Sequence, residues 1–221
     1  MAGENGERAP LATDGPDRMT PDAVIRHARR LFLHGEKIDM GALAADLGIS
    51  RATLYRWVGD RDRLVGAIVW SFTEPWLAQV AGHTRHLSGA DRVARVLAEL
   101  GREVLSMKPV TDFLHRDPVA ALRAFTTSAS PLQGRMVAFF ERLLHEEVAL
   151  GHLCEPDEID VESLAYAILR IAETFIYADV IASRPPEPDK AAAIVRMLLQ
   201  GVTASSARNR SGGSRRGVRA S

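Results

Sequence analysis

Apolar residues recur along this chain at spacings of three and four, the repeat that puts side chains on one face of a helix. No stretch alternates with the period of two that marks a strand. Thr20 stands as a cap before Pro21, with Val24, Ala28, Leu31 and Phe32 as a buried stripe and Gly35 as a stop. Asp39 caps a second helix carrying Leu43, Ala44 and Leu47, which Gly48 ends as a residue that takes positive φ at little cost. Ser50 caps a third, whose apolar side is narrow (Leu54, Val58). A fourth starts after Asp60 and carries Leu64, Ala67, Ile68, Phe72 and Leu77. Pro75 removes one backbone bond and predicts a bend or break there.

The pattern continues through a fifth helix over 91–107 (Val93, Val96, Leu97, Leu100, Val104) and two short helices opened by Pro109 and Pro118. Another runs over 131–150 with Met136, Phe139, Phe140, Leu143 and Leu144. The segment 161–181 carries two stripes, one through Val161, Leu164, Ile168, Ile171 and Phe175, the other through Ala165, Leu169, Ala172, Ile176 and Val180. A helix apolar on two sides needs two covers. One is its own domain; the other is either a partner subunit, with Ala165 and Ala172 allowing close approach, or more of the same core. After Pro185, Pro186 and Pro188 a last helix is predicted over 191–204. The fold class is therefore all-α. Its parts are a disordered segment 1–18, a three-helix unit 19–66, a larger helical unit 67–204 and a flexible arginine-bearing tail 205–221.

Within 39–64 the chemistry is specific. Two helices meet across a short turn, and the second turns Arg51, Thr53, Tyr55, Arg56 and Trp57 outward. That is a helix-turn-helix with its second helix aimed at a major groove. Tyr55, Trp57 and Arg61 are candidates for phosphate contacts; Arg51, Ala52, Thr53 and Arg56 lie where base edges come within reach. The alternative for Tyr55 and Trp57 is packing between helices, and for Arg56 a solvated face.

The run ALAADLGISRATLYRWVGDRDRL is similar to the signature of the TetR family of bacterial transcription regulators. Gly48, Ile49, Ser50, Thr53, Leu54 and Tyr55 match it directly. Trp57 stands at its His/Tyr position, Val58 at its Phe, Asp60-Arg61 at its Ser/Asn-Lys, and Asp39 where the family often has Thr. The run AETFIYADVIASRPPEPDKAAAIVRMLL resembles a narrower subgroup, the QsdR-like regulators. The resemblance implies a repressor whose terminal helices pair with a partner's in a four-helix bundle, bound as a homodimer to a pseudo-palindromic double-stranded operator and released by a small molecule. A helical binding protein that no longer engages an operator is the alternative.

Composition changes this picture little. The 221 residues are 46% hydrophobic and 25% charged, as in an ordinary globular protein. No apolar run reaches the roughly 18–20 residues of a membrane span, the first residues lack the apolar core of a signal peptide, and Cys154 is single. These features predict a cytoplasmic protein without membrane attachment. The net charge is zero, yet residues 20–70 hold eight bases (Arg26, Arg29, Arg30, Lys37, Arg51, Arg56, Arg61, Arg63) against six acids. An excess that small leaves DNA affinity to placement and to dimerisation. The tail arginines (Arg208, Arg210, Arg215, Arg216, Arg219) either add non-specific affinity or stay idle in solvent.

Catalysis finds no footing. His83 and His86 lack a third metal ligand, His145-Glu146-Glu147 point in different directions on a helix, and Cys154 has no evident activating base. No cofactor, metal or catalytic residue is expected. The effector site is expected among the middle helices, lined by Trp76, Phe113, Phe139, Tyr166 and Phe175, with Arg170 and Glu173 as polar anchors and His115 as a lesser one. The competing reading makes the aromatics core and Arg170–Glu173 an ion pair.

Overall fold

The computed structural model describes residues 19–154 and 159–213. Among them are eleven α-helices and no strand: α1 (Pro21–Leu33), α2 (Met40–Asp46), α3 (Arg51–Val58), α4 (Arg61–His83), α5 (Gly89–Ser106), α6 (Lys108–Arg116), α7 (Pro118–Thr126), α8 (Leu132–Ala149), α9 (Val161–Ile176), α10 (Ala178–Ala182) and α11 (Pro188–Gly213). The expected segment 1–18 and, of the expected tail 205–221, residues 214–221 lie outside the described residues.

Local chemistry sets the amino ends. Thr20 Oγ1 accepts from the Ala23 N–H at 3.2 Å, Asp39 Oδ1 from Gly41 and Ala42 at 2.8 Å each, Ser50 Oγ from Thr53 at 3.1 Å and Asp60 Oδ1 from Arg63 at 2.9 Å. Each bond satisfies an amide that the first turn leaves without a helical partner. Helix α4 continues past Pro75 without a break there. On the preceding turns Ser71 and Thr73 donate their hydroxyls to the Ile68 and Val69 carbonyls.

Helices α1–α3 pack around the amino end of α4 through Val24, Ala28, Phe32, Leu43, Ala44 and Leu54, all buried. The remaining helices form the larger body, with α5 laid along α11 and α8 along α9. One ionic cluster is sealed within it. Arg92 of α5 donates to Glu147 Oε1 at 2.5 Å, and Glu147 Oε2 accepts from the Gly89 N–H at 2.5 Å and lies 2.9 Å from His152. Burial works against the Glu147 charge, but these bonds outweigh it and hold the carboxyl below its ordinary range.

Three expectations change. The helix over 161–181 divides at Tyr177, where the backbone relaxes to φ −100°, ψ 22° and the buried ring lies against Phe125 with centroids 6.3 Å apart. Ala165 and Ala172 are fully buried within the protomer, so they offer no surface to a partner. The last helix starts earlier, at Pro188, and continues to Gly213, which carries Arg208 and Arg210 on helical backbone rather than in a loose tail. No helix among the described residues is long and apolar enough to cross a membrane.

Candidate nucleic-acid interface and buried cavity

Helix α3 is held by one side only. Leu54 is fully buried and Val58 partly so, whereas Arg51, Ala52, Tyr55 and Arg56 are exposed and Thr53 is half-buried. Gly48 turns the chain between α2 and α3 at φ 64°, a left-handed conformation that favours glycine. The exposed groups form a convex face of hydrogen-bond donors and one aromatic ring. A major groove has the width to receive such a helix.

The candidate contacts do not all stand alike. Trp57 is partly buried and packs on the core, as the helix-packing alternative anticipated. A Cβ on residue 41 would collide with the Arg51 guanidinium; only glycine there lets Arg51 fold back over the start of α2. Asp39 feels it: bonds from Ala42 and Gly41 depress its carboxyl, and the Arg51 and Lys37 charges add to them. Arg61 departs furthest from expectation. Its Nε donates to the Ile38 carbonyl at 3.0 Å, its guanidinium lies 5.5 Å from the centroid of Phe113 and 3.5 Å from Asp117. It faces the junction with α6 and α7.

Arg61 has company at that junction. Arg123 Nε donates to the buried carboxylate of Asp62 at 2.5 Å, and Arg116 donates to the Gly35 carbonyl at 2.9 Å. Phe32 of α1 and Phe113 of α6 meet edge to face, centroids 6.0 Å apart. Sequence reasoning had no means to find these pairs, since their members are dozens of residues apart.

A cavity of about 150 Å³ lies within the larger body. Helix α4 gives it Val69, Phe72, Thr73 and Trp76; α5 gives Leu100, Glu103 and Val104; α9 and the residue after it give Leu169, Glu173, Ile176 and Tyr177. Phe125 and Met136 close it from α7 and α8. Glu173 is 6% exposed. Its Oε2 accepts from Arg170 at 2.5 Å, and Arg170, partly in solvent, also donates to the Thr126 carbonyl at 3.0 Å. Burial pushes the Glu173 carboxyl up to about 7 against the pull of Arg170. Burial likewise raises the Tyr177 phenol far above its ordinary value, and the Glu173 charge adds to that.

Of the residues expected to line an effector site, Trp76 and Glu173 line this cavity. The others lie elsewhere. Phe113 is core between α1 and α7. His115 is exposed and lies 2.8 Å from Asp179. Phe139 packs on Phe140 beneath Arg142. Tyr166 is half exposed beside a shallow groove between α8 and α9. Arg170 reaches Glu173 from outside, and Phe175 sits partly exposed off the cavity. Glu103 and Tyr177 were missed. Tyr177 sat in an apolar run that reads as core, and an acid such as Glu103 on a helix reads as solvated surface. Among the described residues no three His, Cys, Asp or Glu side chains gather as metal ligands; His86 turns its ring to the His83 carbonyl at 2.8 Å.

A family model described as "Tetracyclin repressor-like, C-terminal domain" matches residues 88–200. Among curated relatives, the chain is similar to the HTH-type transcriptional regulator Rv0472c of Mycobacterium tuberculosis, 26% identical over 131 residues. That match covers 58% of this chain and 50% of the relative, so the chain spans about half the length of this relative. A second regulator of the same organism, Rv1255c, is 28% identical over 200 residues, with 88% of this chain and 91% of the relative covered. Among solved structures, the R. erythropolis transcriptional repressor QsdR from the TetR family aligns with a TM-score of 0.74 at 27% identity, covering 83% of this chain and 95% of that one. AlkX, a TetR family repressor from Dietzia sp. strain DQ12-45-1b implicated in biodegradation of n-alkanes, aligns at 0.53 with 20% identity over 85% of this chain and 100% of that one, a likeness of fold alone.

Proposed function

We propose that this chain, which belongs to the TetR family of transcriptional regulators, is a cytoplasmic repressor that binds its operator as a homodimer and is released by a small molecule in the cavity. Residues 19–66 would read the DNA and residues 67–204 would bind effector and partner. Arg51, Ala52, Thr53 and Arg56 are placed at base edges and Tyr55 at phosphate. Trp57 and Arg61 are reassigned to holding α3 and the junction. Two reading helices related by a two-fold axis would engage half-sites about 34–36 Å apart.

The observation that carries the ligand response is a continuous line of packed rings from the cavity to the DNA-binding unit. Phe125, on the cavity wall, meets Phe113 edge to face at 5.7 Å. Phe113 in turn touches Phe32 and carries Arg61. Phe72, also on the cavity wall, lies 5.7 Å beneath the Arg29 guanidinium of α1. A molecule that moves Phe125 or Phe72 thus moves groups seated directly on α1 and on the start of α4. Contact alone does not make coupling; an inducer must also bind the off-operator arrangement more tightly than the operator-bound one.

The surface left for a partner is on α11, where Ile194, Met197 and Leu198 are exposed at helical spacing, with Tyr166 of α9 as a further exposed apolar group. A gel shift on the intergenic DNA upstream of the protein's own gene, with light scattering on the same sample, tests the proposal. A discrete shifted complex and a dimer mass are expected. A folded protein that shifts no such DNA would leave a helical binding protein without an operator.

A further inference from the structure

The cavity lining is chemically one-sided. Two carboxylates, Glu103 and Glu173, belong to it, and among the described lining residues there is no Lys, Arg or His. Arg170 engages one oxygen of Glu173 from outside, and among the described residues no hydrogen bond or ion pair meets the Glu103 carboxylate or the Tyr177 hydroxyl. Glu173 is buried, and charging an acid there without full compensation is costly; Glu103, partly exposed, adds a second negative group to the same wall. The rest of the lining is apolar or aromatic apart from Thr73, whose hydroxyl is bonded to the Val69 carbonyl. Phe72, Trp76, Phe125 and Tyr177 supply rings, whose faces attract cations.

We propose that the effector is a small organic cation, a compact hydrocarbon body bearing one protonated amine, with the ammonium between Glu103 and Glu173 and the body against the rings. This rests on the cavity being the effector site. The ammonium donates to the Glu173 oxygen that Arg170 leaves open, to Glu103 and to the Tyr177 hydroxyl, using its three N–H bonds. A carboxylate ligand would bring a third negative charge into the chamber. An uncharged one would bring no counter-charge to the two acids. The volume, about 150 Å³, matches a cavity that takes a molecule of benzene size. The hydrocarbon body is therefore about six carbons, unless the walls move.

Hexylamine, hexanol and hexanoate share one chain and differ in the head, and calorimetric titration of the full-length protein at pH 8 and about 0.15 M salt compares them. Hexylamine is expected to bind at least ten times more tightly than the other two. Glu173→Gln and Glu103→Gln should each reduce that preference several-fold while leaving hexanol affinity within a factor of two, which separates loss of the charge from loss of the fold. Hexanol or hexanoate binding as well as hexylamine would overturn the cation assignment and keep the cavity as effector site. An amine preference untouched by both substitutions would overturn the placement of the head. If none of the three binds, both this inference and the cavity's role as effector site fail.

Discussion

Removing the Arg61 side chain separates two roles that its place in the chain allows. At the amino end of α4 it stands where the family signature has a lysine, and a phosphate contact is the natural expectation. In the structure its guanidinium is committed to Ile38, Phe113 and Asp117. A bond from a charged donor to a carbonyl contributes about 1.5–3 kcal/mol. The stack on a ring adds about 0.5–1 kcal/mol, and a half-exposed ion pair about 0–1 kcal/mol. One guanidinium makes all three, so they do not add fully, and Arg61→Ala should cost about 2–3 kcal/mol. At this chain length that is a fall in Tm of about 4–12 °C. A phosphate contact would read differently. Each neutralised phosphate contributes about 0.9 to the slope of log K against log salt, so two symmetric contacts in a dimer contribute about 1.8. The expected result is a lower Tm with an unchanged salt slope, from thermal melts and operator titrations between about 0.05 and 0.2 M salt. A slope reduced by nearly two units at constant Tm would refute the junction role and put Arg61 on the DNA.

Three further outcomes are expected. Arg92→Met leaves Glu147 buried without its partner and should cost about 3–5 kcal/mol, while Arg92→Met with Glu147→Leu should recover most of that in urea melts; a double variant as unstable as the single would mean that packing, not charge, is lost. The Glu173 carboxyl sits at about 7 in the folded protein against an ordinary value of 4.5. The folded state therefore keeps a proton that the unfolded chain releases, and stability falls as pH rises across that window. Thermal melts should show Glu173→Gln more stable than the parent protein above pH 7 and level with it near pH 4.5; parallel curves would remove the burial argument. Met197→Arg and Ile194→Glu place charges on the uncovered strip of α11 and should give folded monomers by light scattering, whereas dimers of unchanged mass would place the partner face elsewhere.

The features legible in the sequence are those whose causes are local. Thr20, Asp39, Ser50 and Asp60 each bond an amide within three residues, so the amino ends of α1 to α4 could be read from residue type and position. The exposed face of α3 follows from the spacing of Leu54 and Val58. The cavity is a different kind of object. Trp76 and Phe139 look alike in sequence, both aromatic at helical spacing among apolar neighbours. Only the relative placement of α4, α5 and α9 puts Trp76 on the wall of the central cavity, while Phe139 faces a separate groove between α4 and α8. The same holds for charge. Glu103 and Glu99 are acids on one helix, yet Glu99 pairs with Arg95 one turn away, whereas Glu103 faces a chamber assembled from distant segments.

Phe113 shows how a misplaced residue becomes informative. Its aromatic character and central position mark it equally well as cavity lining and as core, and the structure makes it core. Yet its ring touches both the cavity wall, through Phe125, and the helix-turn-helix unit, through Phe32 and Arg61. Core positions are close-packed and transmit displacement rather than absorb it. Under the proposed function, a ligand therefore has no need to touch Phe113 in order to act through it. A residue in that position would govern how strongly the two units are coupled while contributing nothing directly to ligand affinity, a distinction that spacing along a chain does not record.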